Sequence, residues 1–296
     1  MKYKIRSMFI PTPGYSFLAF DLSQAETWVV AYLANEWRMK DALTNSDIHT
    51  VTAAGIFHPL SNCNHPRWIK LLTGNRRCDL CSLEITEVER YLGKKSNHGN
   101  SYQQGPEKWT ETINAESDQP PYVTVTVAEA KKYNKQWMEL YPSIKNWWRN
   151  IEDELTRNNR TLRNPFGRTR TFFGRWGREL FKEATAYVPQ STVADLVLGH
   201  RLPRVEGSMD FYSDYGGILR IASDPAIMNY CSMVHTAYDS IMMEVPVNRE
   251  NEFAPLIYKH MHRPLVVNDE EFTIPCDGEV GDRWGEMEPI PKAWLS

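Results

Sequence analysis

Asp21 and Asp239 each close a short apolar run, SFLAF before the first and VHTAY before the second. If those runs pair in one sheet, both carboxylates project at the same edge. Two carboxylates sharing a site repel unless cations neutralise them. Hard divalent ions with oxygen ligands, Mg²⁺ above all, suit such a pair. Two ions about 4 Å apart can activate an attacking hydroxyl and stabilise a leaving phosphate. An aspartate at a strand end is also an ordinary turn former, so the pair needs support. Arg90, Lys94, His98 and Tyr102 supply some. Each step of four residues turns a helix by about 40° and rises about 6 Å, giving a slowly winding stripe about 18 Å long. That is the reach of a nucleoside triphosphate. Arg90 and Lys94 would meet phosphates as fork and point charge, with His98 and Tyr102 beside sugar and base; a solvated basic face is the plainer alternative. Cys63, His65, Cys78 and Cys81 form a third set, a C-x-H half-site followed by C-x-x-C. A Cys3His set fits tetrahedral structural zinc, with His58 as a substitute for His65. Chance clustering of reduced thiols and a surface histidine is the alternative.

The elements that must position these residues can be read coarsely. The spacing predicts a strand over Ser16–Phe20 and a helix over Gln24–Trp37, so Asp21 sits at a strand-to-helix junction. A second helix is expected over Asp47–Phe57, capped by Asp47 or Ser46. His58–Ser82 reads as irregular, Glu84–Gln103 as a polar helix, and Ala128–Thr156 as one or two helices. Asn164–Gly167 is expected to turn between two strand-like pieces, Gln190–Arg201 to be helical, and VHTAY and IMMEV to flank Asp239-Ser240 as a hairpin. A few strands among many helices indicate an α+β fold.

The bulk composition narrows the class. The chain has 296 residues, 42% hydrophobic and 24% charged, which suits a globular protein with one large domain or two modest ones. No apolar run is long enough to span a membrane, and the N-terminus does not read as a secretory signal, so cytoplasm is the expected compartment. Five cysteines in so long a chain do not read as a secreted disulfide framework. The net charge of -3 hides a basic strip: Arg157, Arg160, Arg163, Arg168, Arg170, Arg175, Arg178 and Lys182 face a single acid, Glu179. Such a strip, interleaved with Phe166, Phe172, Phe173 and Trp176, could line a nucleic-acid duplex, or form a charged hairpin. Beyond Pro264 the balance reverses, with eight acids (Asp269, Glu270, Glu271, Asp277, Glu279, Asp282, Glu286 and Glu288) against Arg283 and Lys292.

Four motifs in order resemble the family A DNA polymerases, the bacterial repair and phage replicative type. FDLSQAETWVVAYLA with SDIHTVTAAGIF is similar to that family's motif A and its trailing Asp-Ile-His segment. RYLGKKSNHGNSYQQG resembles the fingers helix, PQSTVADL a following helix, and TAYDSIMMEVP the catalytic hairpin. The closing VGDRW is similar to the family's terminal segment, so the likeness runs from about Arg6 to Trp284. It implies a polymerase palm, an antiparallel sheet with helices, plus helical fingers. Residues 1–45 would be the first part of the palm, 46–135 the fingers with a zinc-stapled insertion at 58–82, and 136–296 the second part of the palm. It implies that Asp21 and Asp239, with the Leu22 carbonyl, bind two Mg²⁺ ions. Arg90, Lys94 and His49 would hold the dNTP triphosphate, Lys94 also acting as acid to the leaving pyrophosphate. Gln24, Glu26, His98 and Tyr102 would complete the nucleotide site, Glu26 excluding a ribose 2′-hydroxyl and Tyr102 guarding the templating base. Lys182 and Gln190 would touch the primer–template minor groove, with Arg168 and Arg170 on the duplex.

Departures from the pattern matter too. Tyr238 and Ser240 stand where the hairpin usually has His and Glu, which predicts weaker metal binding. Leu22, Ala25 and Trp28 replace the usual Tyr, Ile and Arg; His98 replaces an aromatic residue, and Gln103 a glycine. The family's thumb and exonuclease-like domains are expected before Arg6 and are absent from this sequence, so the expectation is one half of a split polymerase, or a shortened chain, needing an upstream fragment for the thumb. The expected activity is template-directed DNA synthesis on primer–template from dNTPs, in the cytoplasm, or in a host's cytoplasm if a phage encodes it. The rival reading is a catalytically silent polymerase-derived subunit that binds nucleic acid or a partner structurally. A weaker one is a zinc-stapled nucleic-acid-binding module.

Overall fold

The computed structural model describes residues 5–59, 63, 65, 67–199 and 216–295. The chain divides into two compact units: Met1–Glu26 with Arg163–Arg170 and Val188–Ser296, and Thr27–Leu162 with Thr171–Tyr187. Among the described residues no helix is long and apolar enough to cross a membrane.

The first unit is built on an antiparallel sheet of five strands. Its order is Glu288–Pro289, Cys276–Gly281, Tyr15–Leu22, Ser240–Pro246, Ser232–Ala237. The central strand, YSFLAFDL, buries Phe17, Leu18, Phe20 and Leu22. A strand paired on both edges and apolar on both faces is held in register by its neighbours' side chains. The helix Glu250–Met261 lies on this sheet and buries Phe253, Ala254, Ile257 and Met261, one stripe at helical spacing. Tyr258 of that helix sits 6.3 Å from the Phe20 ring. The strand extends through Leu22, so Asp21 is its penultimate residue rather than the residue after it.

The second unit is mainly helical. The helix expected over Gln24–Trp37 is two helices, Ala25–Leu33 and Trp37–Asn45. Asn35, at φ 49°, breaks the run. Glu36, fully buried, then caps the second helix, accepting from the backbone N–H groups of Arg38 at 3.3 Å and Ser143 at 2.9 Å. Asp47 caps Ile48–Phe57 as expected. The polar helix begins at Glu87, not Glu84, because Thr86 and Glu89 form a reciprocal capping box and Glu84–Ile85 is a strand. His58–Ser82 is not wholly irregular: Trp68–Lys70, Arg76–Cys78 and Glu84–Ile85 form a three-stranded ribbon. Val127–Leu140 and Ser143–Arg157 are the two helices of the 128–156 region.

One helix runs Arg178–Leu198, longer at its start than the expected Gln190–Arg201, whose end at Arg201 lies outside the described residues. Pro189 lies inside it. A proline there removes an amide donor, and the Thr192 hydroxyl donates to the nearby Val188 carbonyl at 2.6 Å.

Candidate functional site

In the first unit the two aspartates meet. Asp21 is registered against Ser240 on one side and Asp277 on the other. Tyr238 and Asp239 form the two-residue turn between the strands Ser232–Ala237 and Ser240–Pro246, with Tyr238 in the left-handed region at φ 53°. The Leu22 amide donates to the Asp239 carbonyl at 3.1 Å, which ties the turn to the end of the Asp21 strand. The Asp21 and Asp239 carboxyls lie close enough for each to act on the other's titration.

Although Asp21 lies at an open edge, partial burial of its carboxyl, followed by the charges of Asp239, Asp277 and Glu279, pushes it up to about 7. Asp239 is also raised, chiefly by burial, with Glu26 contributing. The pair titrates as a unit. The charged groups acting on Asp21 are all carboxylates, a donor set that suits hard divalent cations. Ser240 does not extend this set; its hydroxyl donates to the Ala237 carbonyl at 2.9 Å and closes the turn. Tyr238 is 93% exposed. Asp277 and Glu279 escaped the sequence reading as site residues. Their alternation within the acidic C-terminal stretch was the available signal, and the Ser23 hydroxyl hydrogen-bonds to Asp277. Gln24, at φ 58°, and Glu26, in the first turn of its helix, follow directly.

In the second unit the helix Glu87–Ser101 carries Arg90, Lys94 and His98, with Tyr102 as its C-cap. Lys94 and His98 are exposed, Arg90 and Tyr102 half-buried, and the His98 and Tyr102 rings meet edge-on at 6.0 Å. The opposite face is buried through Leu92, Gly93, Ser96, Asn97 and Asn100. Gly93 permits the close approach of the His49 helix: a Cβ there would lie 2.5 Å from the His49 carbonyl oxygen. Arg90 is not isolated. Its Nε and Nη2 donate to Asp47 at 2.6 and 3.2 Å. Burial would raise the Asp47 carboxyl, but the Arg90 and Thr50 hydrogen bonds outweigh it and hold it below the usual range.

His49 is set by a buried polar network. Trp137 Nε1 donates to Asn97 Oδ1 at 2.8 Å and the Thr52 hydroxyl to the same oxygen at 3.0 Å. An indole N–H can only donate, so this oxygen is fixed and Asn97 Nδ2 must be the atom 3.2 Å from His49 Nδ1. His49 Nδ1 is then the acceptor, and Nε2 carries the proton. Burial, opposed by Asp47 and aided by Arg90 and Lys94, pushes His49 down to about 4, so the ring is a neutral donor at neutral pH. A lone asparagine carries no chemical signal, so sequence reasoning does not find Asn97.

The Cys63, His65, Cys78 and Cys81 ligand atoms all lie within 4.8 Å of one another. His58 is not the fourth ligand; its Nε2 lies 3.1 Å from Glu89 Oε1. Arg170 of the basic strip is exposed, and the Arg168 guanidinium is held by Asp195, Nη2 to Oδ1 at 2.6 Å and Nε at 2.9 Å. Gln190 is exposed and Lys182 is paired with Glu179 at 2.9 Å.

Known proteins resemble this chain along its length. The family model for DNA polymerase family A matches residues 1–67. The DNA polymerase of Escherichia phage T5 is 25% identical over 216 residues, 66% of this chain and 23% of that protein. DNA polymerase I of Borreliella burgdorferi is 24% identical over 293 residues, 96% of this chain and 26% of that protein. The chain thus spans about a quarter of the length of these curated relatives. Among solved structures, the POL domain of Pol1 from M. smegmatis, in complex with DNA primer-template and dNTP, superposes with a TM-score of 0.69. The identity there is 17%, covering 96% of this chain and 43% of that one. With the family model matching its N-terminal end and DNA polymerases aligned over nearly its full length, the chain is similar to the family A DNA polymerases and shares the α+β fold of a polymerase domain.

Proposed function

We propose that this chain carries out template-directed DNA synthesis, joining a dNMP from a dNTP to a primer 3′-hydroxyl. The reading is carried by the hairpin turn, tied at 3.1 Å to the end of the Asp21 strand, which brings the Asp239 and Asp21 carboxyls together among further acids. Two Mg²⁺ ions at Asp21, Asp239 and the Leu22 carbonyl would activate the hydroxyl and neutralise the developing charge on the phosphates. The chain's own groups do the rest. Lys94 Nζ offers a proton and a point charge to the leaving pyrophosphate, and His49 Nε2 donates a hydrogen bond to a phosphate oxygen. Arg90 gives its fork, oriented by Asp47. Gln24, Glu26, His98 and Tyr102 shape the nucleotide site, Glu26 excluding a 2′-hydroxyl. Lys182, Gln190 and Arg170 serve the duplex, and Arg168 holds the turn that presents Arg170.

Residues 1–45 and 136–296 would then make the palm and 46–135 the fingers. The chain would work with a thumb-bearing segment, because phosphate contacts dominate affinity for DNA. One Zn²⁺ at the Cys3His cluster would take no part in the reaction. A silent, DNA-holding subunit is the second reading, favoured by a Ser240 hydroxyl directed to the Ala237 carbonyl. Primer extension with Mg²⁺ or Mn²⁺, with and without an upstream polymerase fragment, separates the two. Template-dependent extension is expected in at least the combined reaction; none in any combination leaves the silent reading standing.

A further inference from the structure

The ribbon of residues 68–85 has little apolar interior of its own. Its inward face offers Trp68, Leu83 and Ile85, which pack on Ala53, Ala54 and Phe57 of the preceding helix. Its outward residues Ile69, Leu72 and Leu80 are exposed, Leu72 completely. So small a sheet needs a staple.

The cluster has the dimensions of one. A tetrahedron with Zn–S of about 2.3 Å and Zn–N of about 2.0 Å places two sulfurs about 3.8 Å apart and a sulfur and nitrogen about 3.5 Å apart. Cys63 Sγ and Cys78 Sγ lie 3.8 Å apart, and Cys81 Sγ and His65 Nδ1 3.4 Å. A backbone N–H already points at one sulfur, that of His65 at Cys63 Sγ at 3.3 Å. Such outer contacts orient metal ligands. The His65 ring stacks on Trp68 at 4.9 Å. Four protein ligands leave no open position, which marks a structural rather than a catalytic site.

From the cluster a short, continuous path leads to the helix that bears Arg90 and Lys94. The Cys78 amide donates to the Leu83 carbonyl at 2.8 Å, and Arg76 is registered against Ile85. Ile85 is fully buried against the His49 helix, and the next residue, Thr86, caps the Arg90 helix. Glu89 closes that cap through Oε2 to Thr86 N at 2.8 Å while Oε1 meets His58. We infer that Cys63, His65, Cys78 and Cys81 bind one zinc ion whose occupancy orders residues 83–90, and so holds the start of the Arg90 helix. This takes the zinc reading one step further, from a bound ion to a device that positions the phosphate-binding helix.

Metal analysis and hydrogen exchange on the whole chain test it without reference to activity. About one zinc per chain is expected in the purified protein, retained in Cys231→Ser and lost in the double variant Cys78→Ser/Cys81→Ser. Cobalt substituted for zinc should show the visible bands of a tetrahedral thiolate site. Chelation of the wild-type protein should raise amide exchange at residues 83–90 at least tenfold, while strand 15–22 is unchanged. No zinc, equal zinc in wild type and the double variant, or a Cys63–Cys78 disulfide in its place would overturn the site. Zinc bound but exchange at residues 83–90 indifferent to its removal would overturn the positioning role and leave the bound ion intact.

Discussion

Replacing Asp21 by Asn should make the metal-free protein more stable and the metal-bound protein less competent. In the folded chain Asp21 is raised from 3.8 to about 7, by burial and by Asp239, Asp277 and Glu279. An acid whose folded value is raised binds more protons folded than unfolded between those two values. Stability is therefore full below about 4 and falls as pH rises through about 7. The whole shift corresponds to ~4 kcal/mol, but the carboxyl sits at an open edge, where water and salt screen it, and ~1–2 kcal/mol remains. The neutral amide of the variant would lack that penalty and could still hydrogen-bond to Asp239. For a unit of this size the gain is a rise in Tm of about 2–8 °C at pH 8 without divalent ions, and a smaller one at pH 5.5. Millimolar Mg²⁺ should raise the wild-type Tm, since an ion that binds only the folded state stabilises it, and should leave Asp21→Asn unmoved. Thermal melts at the two pH values, with and without Mg²⁺, read all of this. An Asp21→Asn protein that melts at or below wild type at pH 8 without metal, or gains as much from Mg²⁺, refutes the reasoning.

Other expectations concern the positioning residues. Asn97→Asp can still accept from Trp137 and Thr52 but cannot donate to His49 Nδ1, so the ring should gain a proton and its titration, followed by NMR, should move from about 4 to above 6; a titration still near 4 would sink the tautomer argument. Because His49 is depressed from 6.5, its own contribution to stability should fall as pH drops from 6.5 towards 4, by about 2–4 kcal/mol, opposite in sign to that of Asp21. Denaturant melts at constant salt should therefore show a steeper loss on acidification in Asp21→Asn than in wild type. Arg168→Ala strands the buried Asp195 carboxylate and should cost about 3 kcal/mol, with little change in the salt dependence of duplex binding. Arg170→Ala should lower the salt slope of duplex binding by about 1.

Much of the site was legible because its signals are local. A capping aspartate before an apolar-periodic run located the His49 helix, and two apolar runs around Asp239-Ser240 located the hairpin. Two half-sites of sulfur and imidazole ligands mark the Cys3His cluster in the sequence. What escaped depends on pairing across long stretches of chain. The strand Cys276–Gly281, CDGEVG, has two glycines and two acids in place of an alternating apolar face, yet it lies against Asp21 and places Asp277 and Glu279 beside it. Gly278 is required there, since a Cβ would come within 2.9 Å of the Phe20 ring. The helices Pro106–Asn114 and Glu250–Met261 were missed, the second with Pro255 inside it. The Arg178–Leu198 helix looked shorter because Pro189 reads as a break. At Gly278, Pro255 and Pro189 tertiary packing overrode a local rule. Arg168 shows the converse: a basic residue in a basic strip, legible as a phosphate ligand, whose guanidinium is held by a buried carboxylate.

The central claim is that Asp21 and Asp239 act together as the metal-binding pair of nucleotidyl transfer. Single-turnover incorporation of one dNMP on a primer–template, in saturating Mg²⁺ and with a thumb-bearing fragment present, tests it most directly. Asp21→Asn and Asp239→Asn should each lower the rate at least a thousandfold, and the double variant should be no slower than the worse single one, as expected of groups that act as a unit. Wild-type-like rates in either single variant, or losses under tenfold that multiply in the double, would contradict it.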